Sequence, residues 1–315
     1  MRVAVIGAGG VGGYFGARLQ AAGVDVGFVA RGQHLDALKT SGLRLESPRG
    51  NLHLPHVMAT EDPATIGPVD SVLVTVKMYD LDAAAATLEP LIGPDTAVVT
   101  LQNGVEAVDM VAQKVARKHV VGGVAYVAAV IGEPGLIRHT SLDSLIFGEL
   151  DGSRSERLVK LEAACQRAGF GARISEQIET DLWSKFSRLS VFSGMTAVTR
   201  SPMGVLRADP ELRAMLVAAC EETISVGRGR GVSLPATLMS EILQMVDGLP
   251  HHAKASMLED LERGRRLELP WLSGAVVRLG RAARVATPIH SFIATVLNPH
   301  VNGSIRGIRE RAEAT

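Results

Sequence analysis

Short apolar runs alternate with amphipathic stretches through the first half of the chain. Val3 to Ile6, Val24 to Val29, Val72 to Val76 and Ala97 to Leu101 are rich in valine and short enough for buried strands. Gly12 to Ala22, Gln33 to Thr40 and Asp80 to Leu91 carry the apolar spacing of helices between them. That alternation predicts a parallel sheet with helices on both faces. Leu43 to Glu46 and Leu52 to Val57 flank the turn-forming Ser47-Pro48-Arg49-Gly50-Asn51 and predict an inserted hairpin, while Val120 to Val130 and Leu145 to Gly148 extend the sheet.

Beyond Ile174 the strand signal stops. Helical periods continue through Glu179 to Val198, Pro210 to Gly227, Ala236 to Asp247 and Leu267 to Ala283. The change of period sets a boundary near residues 172–177, dividing the chain into an α/β domain over 1–174 and an all-helical domain over 175–315. A length of 315 residues is also more than one compact core usually holds. Neither an internal repeat nor a low-complexity linker interrupts the pattern.

Charge and cysteine usage narrow the function classes. Lys plus Arg total 33 and Asp plus Glu total 33, so no net field draws the molecule to nucleic acid or an anionic membrane. Cys165 and Cys220 lie far apart in helix-like stretches, outside any CxxC or Cys/His cluster, which fits reduced, packed thiols in a reducing compartment. Met1 to Gly7 reads as a strand, without the apolar core and cleavage site of a signal peptide. No apolar run reaches the ~18 residues of a membrane span. The expectation is a cytoplasmic protein, compatible with a homodimer and with neither nucleic acid nor membrane as partner. The nine histidines form no HExxH or helical HxxxH pair, so no metal is assigned.

Candidate chemistry begins directly after the first strand, at Gly7-Ala8-Gly9-Gly10-Val11-Gly12. A GxGxxG between strand and helix is a dinucleotide-binding signature of Rossmann-type domains. Gly7 permits the tight turn, Gly9 lets the backbone approach a pyrophosphate, and Gly12 lets helix and strand pack closely. The following helix N-terminus offers free N–H groups to the phosphates. The end of the second strand, where an NAD protein carries an acid for the ribose hydroxyls, reads Phe28-Val29-Ala30-Arg31-Gly32. Arg31 can pair with the 2′-phosphate of NADP through its planar fork, the alternative being a solvated surface arginine. Two further loops follow strands at their carboxyl ends, Thr75-Val76-Lys77 and Leu101-Gln102-Asn103-Gly104. Lys77 is either a cofactor contact or a surface charge, and Asn103 either a ligand amide or a turn residue before glycine.

Together these motifs resemble the ketopantoate (2-dehydropantoate) reductase family over nearly the whole chain. The resemblance rests on Gly7 to Gly12, Arg31, Lys77, Gln102-Asn103-Gly104, Pro134-Gly135, Leu182-Trp183-Ser184-Lys185, Ser256-Met257-Leu258-Glu259-Asp260, and Glu268 before Ser273-Gly274, in that order. It implies a Rossmann domain joined to a helical one, an active site in the cleft between them, and NADPH-dependent reduction of 2-dehydropantoate to pantoate. It further implies that Lys185 is the catalytic lysine, protonating the carbonyl oxygen as hydride arrives. Asn103 then serves cofactor and substrate, Lys77 and the Ala129 backbone serve the cofactor, and Ser256 and Glu268 hold substrate and ribose. Independently of any family, an ammonium aimed at the carbonyl oxygen of a 2-oxo acid stabilises the charge formed by hydride addition and can supply the proton. Without the resemblance, Lys185 would read as a helix-surface lysine, and Glu268 as a solvated partner of Arg265 or Arg266.

The chain departs from the family at two positions. Leu189 and Ser193, four and eight residues beyond Lys185, stand where the family usually places substrate-contacting asparagines. Both share a helix side with Lys185 and are candidate substrate contacts, or Leu189 is ordinary core. The loss of two amides keeps open a paralogous reductase acting on another 2-oxo acid. A noncatalytic NADP-binding sensor is the remaining alternative, disfavoured because a sensor has no need of Lys185 and Glu268.

Overall fold

The computed structural model describes residues 1–304. By its contacts the chain forms two units, one of residues 1–102 and 106–181, the other of residues 103–105 together with those from 182 onward. No described helix is long and apolar enough to cross a membrane.

The first unit is built on a ten-stranded sheet. In chain order its elements are β1 (Arg2–Ile6), α1 (Gly10–Ala21), β2 (Asp25–Val29), α2 (Gly32–Ser41), β3 (Leu43–Glu46), β4 (Leu52–Leu54), β5 (Met58–Thr60), β6 (Val69–Val74), α3 (Leu81–Ala85), β7 (Ile92–Thr100), α4 (Ala107–Ala112), β8 (Val120–Glu133), β9 (Leu136–Glu149), α5 (Glu156–Arg167) and β10 (Gly171–Ile174). The spatial order is β4-β3-β9-β8-β7-β6-β1-β2-β5, with β10 pairing β9. β1 lies parallel between β2 and β6, with Val3 facing Val26 and Ser71. The valines that mark these strands in the sequence are the core: Val3, Val5, Val72 and Val98 have no exposed surface. Burying one such side chain contributes roughly 1.5–3 kcal/mol, which fixes the strand register and so the loops at the carboxyl ends.

The sheet is mixed rather than purely parallel. The inserted hairpin forms, with Leu43 opposite Leu54, and a second, longer hairpin joins β8 to β9 antiparallel over 14 residues each. Its outer half escapes the sequence pattern because burial does not alternate along it: Val130 and Ile131 are both exposed, while Leu136 and Ile137 on the facing strand are both buried. The ladder also shifts register between Ile131 and Glu133, which breaks the period of two. The helix expected over Asp80 to Leu91 shrinks to Leu81–Ala85 between two 3-10 turns, the second of which carries Pro90, whose missing N–H bars a continuous α-helix through it.

The second unit is helical. It comprises most of α6 (Ile178–Thr199), then α7 (Met203–Ala208), α8 (Pro210–Gly229), α9 (Leu238–Gly248), α10 (Ser256–Glu262), α11 (Ser273–Ala283) and α12 (Pro288–Leu297). Asp209 caps α8 by accepting from the Glu211 and Leu212 N–H groups at 2.9 Å each, and Pro210 takes the first helical position, where no donor is needed. Pro270 confines the Leu267 to Ala283 run to a 3-10 turn followed by α11. Glu222 of α8 accepts the Ile289 and His290 N–H groups at 2.7 and 3.0 Å and so caps α12. Burial pulls the His290 imidazole down to about 4, holding it neutral in the core.

Candidate active site

The glycine loop leaves β1 at Ile6. Gly7 has φ of 97°, and a Cβ there would stand 2.8 Å from Val76 Cγ1. At Gly12 a Cβ would come within 2.3 Å of both the Gly7 carbonyl and Thr75 Oγ1, so this glycine sets the approach of α1 to the loop. Gly9 differs, since nothing lies within 4 Å of a Cβ built there. It is the N-cap of α1, whose first turn has neither a side-chain cap nor an acidic residue. The amides and the positive end of the helix dipole thus meet open space at the one glycine of this loop not packed against described residues, a cradle that fits a pyrophosphate. Ala8 is buried and Val11 half-buried.

Three residues fix this loop and the β6 end against which it lies, and their contacts could not be read from spacing. Thr75 donates from Oγ1 to the Gly7 carbonyl at 2.7 Å. Gln102 donates from Nε2 to the carbonyls of Val74 and Val76 at 2.8 and 3.2 Å. The Ala129 carbonyl of β8 lies so close to Gly10 that a Cβ there would be 2.0 Å from it. Each is a tertiary partner, which leaves no periodic trace in the chain.

Arg31 is exposed at the N-terminus of α2 and pairs with Asp80 at 3.3 Å. An exposed pair of this kind contributes little to stability, so the guanidinium can exchange Asp80 for a ligand phosphate at small cost. Lys77 is half-buried and begins the 3-10 turn that contains Asp80.

In the helical unit, residues 103–105 group with α6 and the segments that follow it rather than with the strand that precedes them. Gly104 makes this turn with φ of 118°, and a Cβ there would lie 3.1 Å from the Trp271 carbonyl. The turn brings Asn103 to α6, where Lys185 Nζ donates to Asn103 Oδ1 at 3.1 Å. Trp183 and Phe186 anchor that part of the helix in the core, edge to face with ring centroids 5.4 Å apart. Glu268 is only 5% exposed, a buried carboxylate rather than a solvated one. Three influences act on the Lys185 ammonium. Burial pushes it down most, the Glu268 carboxylate raises it, and Arg188 lowers it, leaving it near about 8. An amine at that value is still mostly protonated at neutral pH and releases its proton far more readily than a free lysine.

The structure therefore groups Asn103, Lys185 and Glu268. Leu189 is half-buried and packs against the helical core. Ser193 is 1% exposed, and its Oγ has no hydrogen-bond partner among the described residues. Ser273 repeats that condition, fully buried with an unpartnered Oγ 2.9 Å from a Cβ built on Gly194. Ser256 is exposed at the first position of α10.

A Rossmann-type sheet with an open glycine cradle, joined to a helical unit carrying a desolvated lysine beside a buried carboxylate, defines an oxidoreductase acting on the CH–OH/C=O couple. The family described as Ketopantoate reductase PanE/ApbA matches residues 3–152, and its C-terminal counterpart matches residues 177–301. A 2-dehydropantoate 2-reductase from Mesorhizobium japonicum is 35% identical over 309 residues, covering 91% of this chain and 94% of that protein. Crystal structures of a PanE/ApbA family ketopantoate reductase from Ralstonia eutropha and of a 2-dehydropantoate 2-reductase from Geobacter metallireducens each superpose with a TM-score of 0.88. They are 31% and 30% identical, covering 96% and 95% of this chain and 98% and 99% of theirs. The chain belongs to the ketopantoate reductase family.

Proposed function

We propose that the protein reduces 2-dehydropantoate to pantoate with NADPH, using Lys185 as general acid. The observation that carries this reading is the Asn103–Lys185–Glu268 group, in which an ammonium is desolvated, oriented and kept charged at neutral pH. When bound, the nicotinamide supplies the hydride. As the hydride's electron pair forms the new C–H bond, the carbonyl π pair moves onto oxygen, and Lys185 first stabilises that charge and then delivers the proton from Nζ. Asn103 Oδ1 holds the ammonium in place by accepting one of its N–H bonds. The open backbone at Gly9 and the α1 N-terminus would take the pyrophosphate, and Arg31, released from Asp80, the 2′-phosphate. Lys77 would add positive charge there. The buried free thiols Cys165 and Cys220 support a cytoplasmic setting.

A second reading keeps the chemistry and changes the substrate. Leu189 offers no hydrogen bond where the family pattern has an amide, which favours a less polar 2-oxo acid. The two readings separate on kcat/KM, with NADPH, for 2-dehydropantoate against its analogue without the terminal hydroxyl. Selectivity of tenfold or more for the hydroxylated acid supports pantoate formation, and equal or reversed values support the paralogue.

A further inference from the structure

His34 lies one turn into α2 and bridges two backbone segments remote from it in sequence. Its Nδ1 accepts the Gly135 N–H at 3.1 Å, and its Nε2 lies 2.8 Å from the Ala8 carbonyl. A backbone N–H can only donate, so Nδ1 carries no proton. The single proton of the neutral ring is then on Nε2 and is donated to Ala8. Burial holds the imidazole below the usual histidine range, in keeping with a ring that must stay neutral to make both bonds.

Both ends of the bridge are themselves fixed. The Gly135 carbonyl accepts the Arg44 N–H at 2.8 Å, Arg44 pairs with Glu133 across the same turn, and a Cβ on Gly135 would stand 3.2 Å from Ala37, one turn beyond His34. Four residues before that hairpin turn, β8 presses the Ala129 carbonyl against Gly10. At the other end, the Ala8 carbonyl belongs to the peptide whose N–H is that of Gly9. In a planar trans peptide the two point in opposite directions, so holding the carbonyl aims the amide. Gly9 is the open position of the loop.

We infer that His34 is a positioning residue for dinucleotide binding, which, fixed as its Nε2–H tautomer by the β8–β9 turn, holds the Ala8 carbonyl and thereby aims the Gly9 N–H at the pyrophosphate. The inference rests on the reading of the glycine loop as the nucleotide site. It assigns His34 to cofactor affinity and not to the chemical step.

The test uses the full-length protein. In His34→Asn the side-chain carbonyl can replace Nδ1 as acceptor for Gly135, but no group reaches Ala8. In His34→Gln the amide N–H can replace Nε2 as donor to Ala8. NADPH binding, followed by its fluorescence, is expected to weaken about five- to tenfold in His34→Asn and to recover to within about twofold of wild type in His34→Gln. kcat at saturating cofactor should stay within about twofold in both. Wild-type affinity in His34→Asn, or a loss confined to kcat, overturns the inference. Imidazole 15N shifts of the wild-type protein provide a reading independent of any variant's folding. They should show the Nε2–H tautomer, and the Nδ1–H tautomer or an averaged pair overturns the bridge. Failure of the wild-type protein to bind either NADPH or NADH would overturn the nucleotide-site reading and this inference together. Wild-type binding that His34→Asn leaves intact overturns this inference alone.

Discussion

Replacing Glu268 by glutamine removes the one carboxylate that holds the Lys185 proton while keeping the side chain's size. Burial and Arg188 both push the ammonium down, and Glu268 is the opposing influence that leaves it near about 8. An opposite charge at close range typically shifts such a group by about one to three units, so its loss should carry the lysine toward or below neutrality. Taking about one unit, the protonated fraction at pH 8 falls from about one half to about one tenth. The predicted profile follows from the sign. The proton donor is the charged form, so kcat is highest on the acid side and declines as pH rises through the lysine's value. In Glu268→Gln that decline begins about one unit or more lower, giving roughly a fivefold deficit at pH 8 that shrinks toward pH 6. Measuring kcat at saturating NADPH and substrate from pH 5.5 to 9.5 isolates this effect from any change in binding. An alkaline limb that stays in place in the variant would refute the argument that Glu268 sets the lysine's charge.

Two other substitutions test the nucleotide loop. Gly10→Ala puts a methyl group 2.0 Å from the Ala129 carbonyl, so it should weaken NADPH binding by at least tenfold and lower the Tm by several degrees, as followed by fluorescence titration and thermal melting. Gly9→Ala meets no protein atom and should keep the wild-type Tm while losing NADPH affinity. Arg31→Ala should lower kcat/KM for NADPH by about tenfold or more with little change for NADH, and an unchanged ratio would remove Arg31 from cofactor choice.

The parts of the fold that bury a periodic face were legible in the chain. Val3, Val26, Val72 and Val98 marked the central strands because each is enclosed by the sheet and its covering helices. The distal hairpin was not, since its register shifts and neighbours such as Val130 and Ile131, or Leu136 and Ile137, share one burial state instead of alternating. At the site, the glycine spacing was readable because tight turn, open cradle and close helix packing each demand a missing side chain. Lys185 was recognisable only through its Leu-Trp-Ser-Lys context, as the charge it keeps despite burial depends on Glu268, more than eighty residues away. The grouping of Asn103 with the helical unit, the Arg31–Asp80 pair and the His34 bridge are likewise products of long-range packing. No local rule encodes them.

On the proposed reading, the desolvated lysine beside Asn103 donates the proton in an NADPH-dependent reduction. Single-turnover reduction of 2-dehydropantoate by NADPH-loaded Lys185→Ala protein, set against wild type, tests it most directly. The rate should fall by about 10²-fold or more, with NADPH affinity unchanged within about twofold. A folded Lys185→Ala protein that binds NADPH and turns over at the wild-type rate would contradict it.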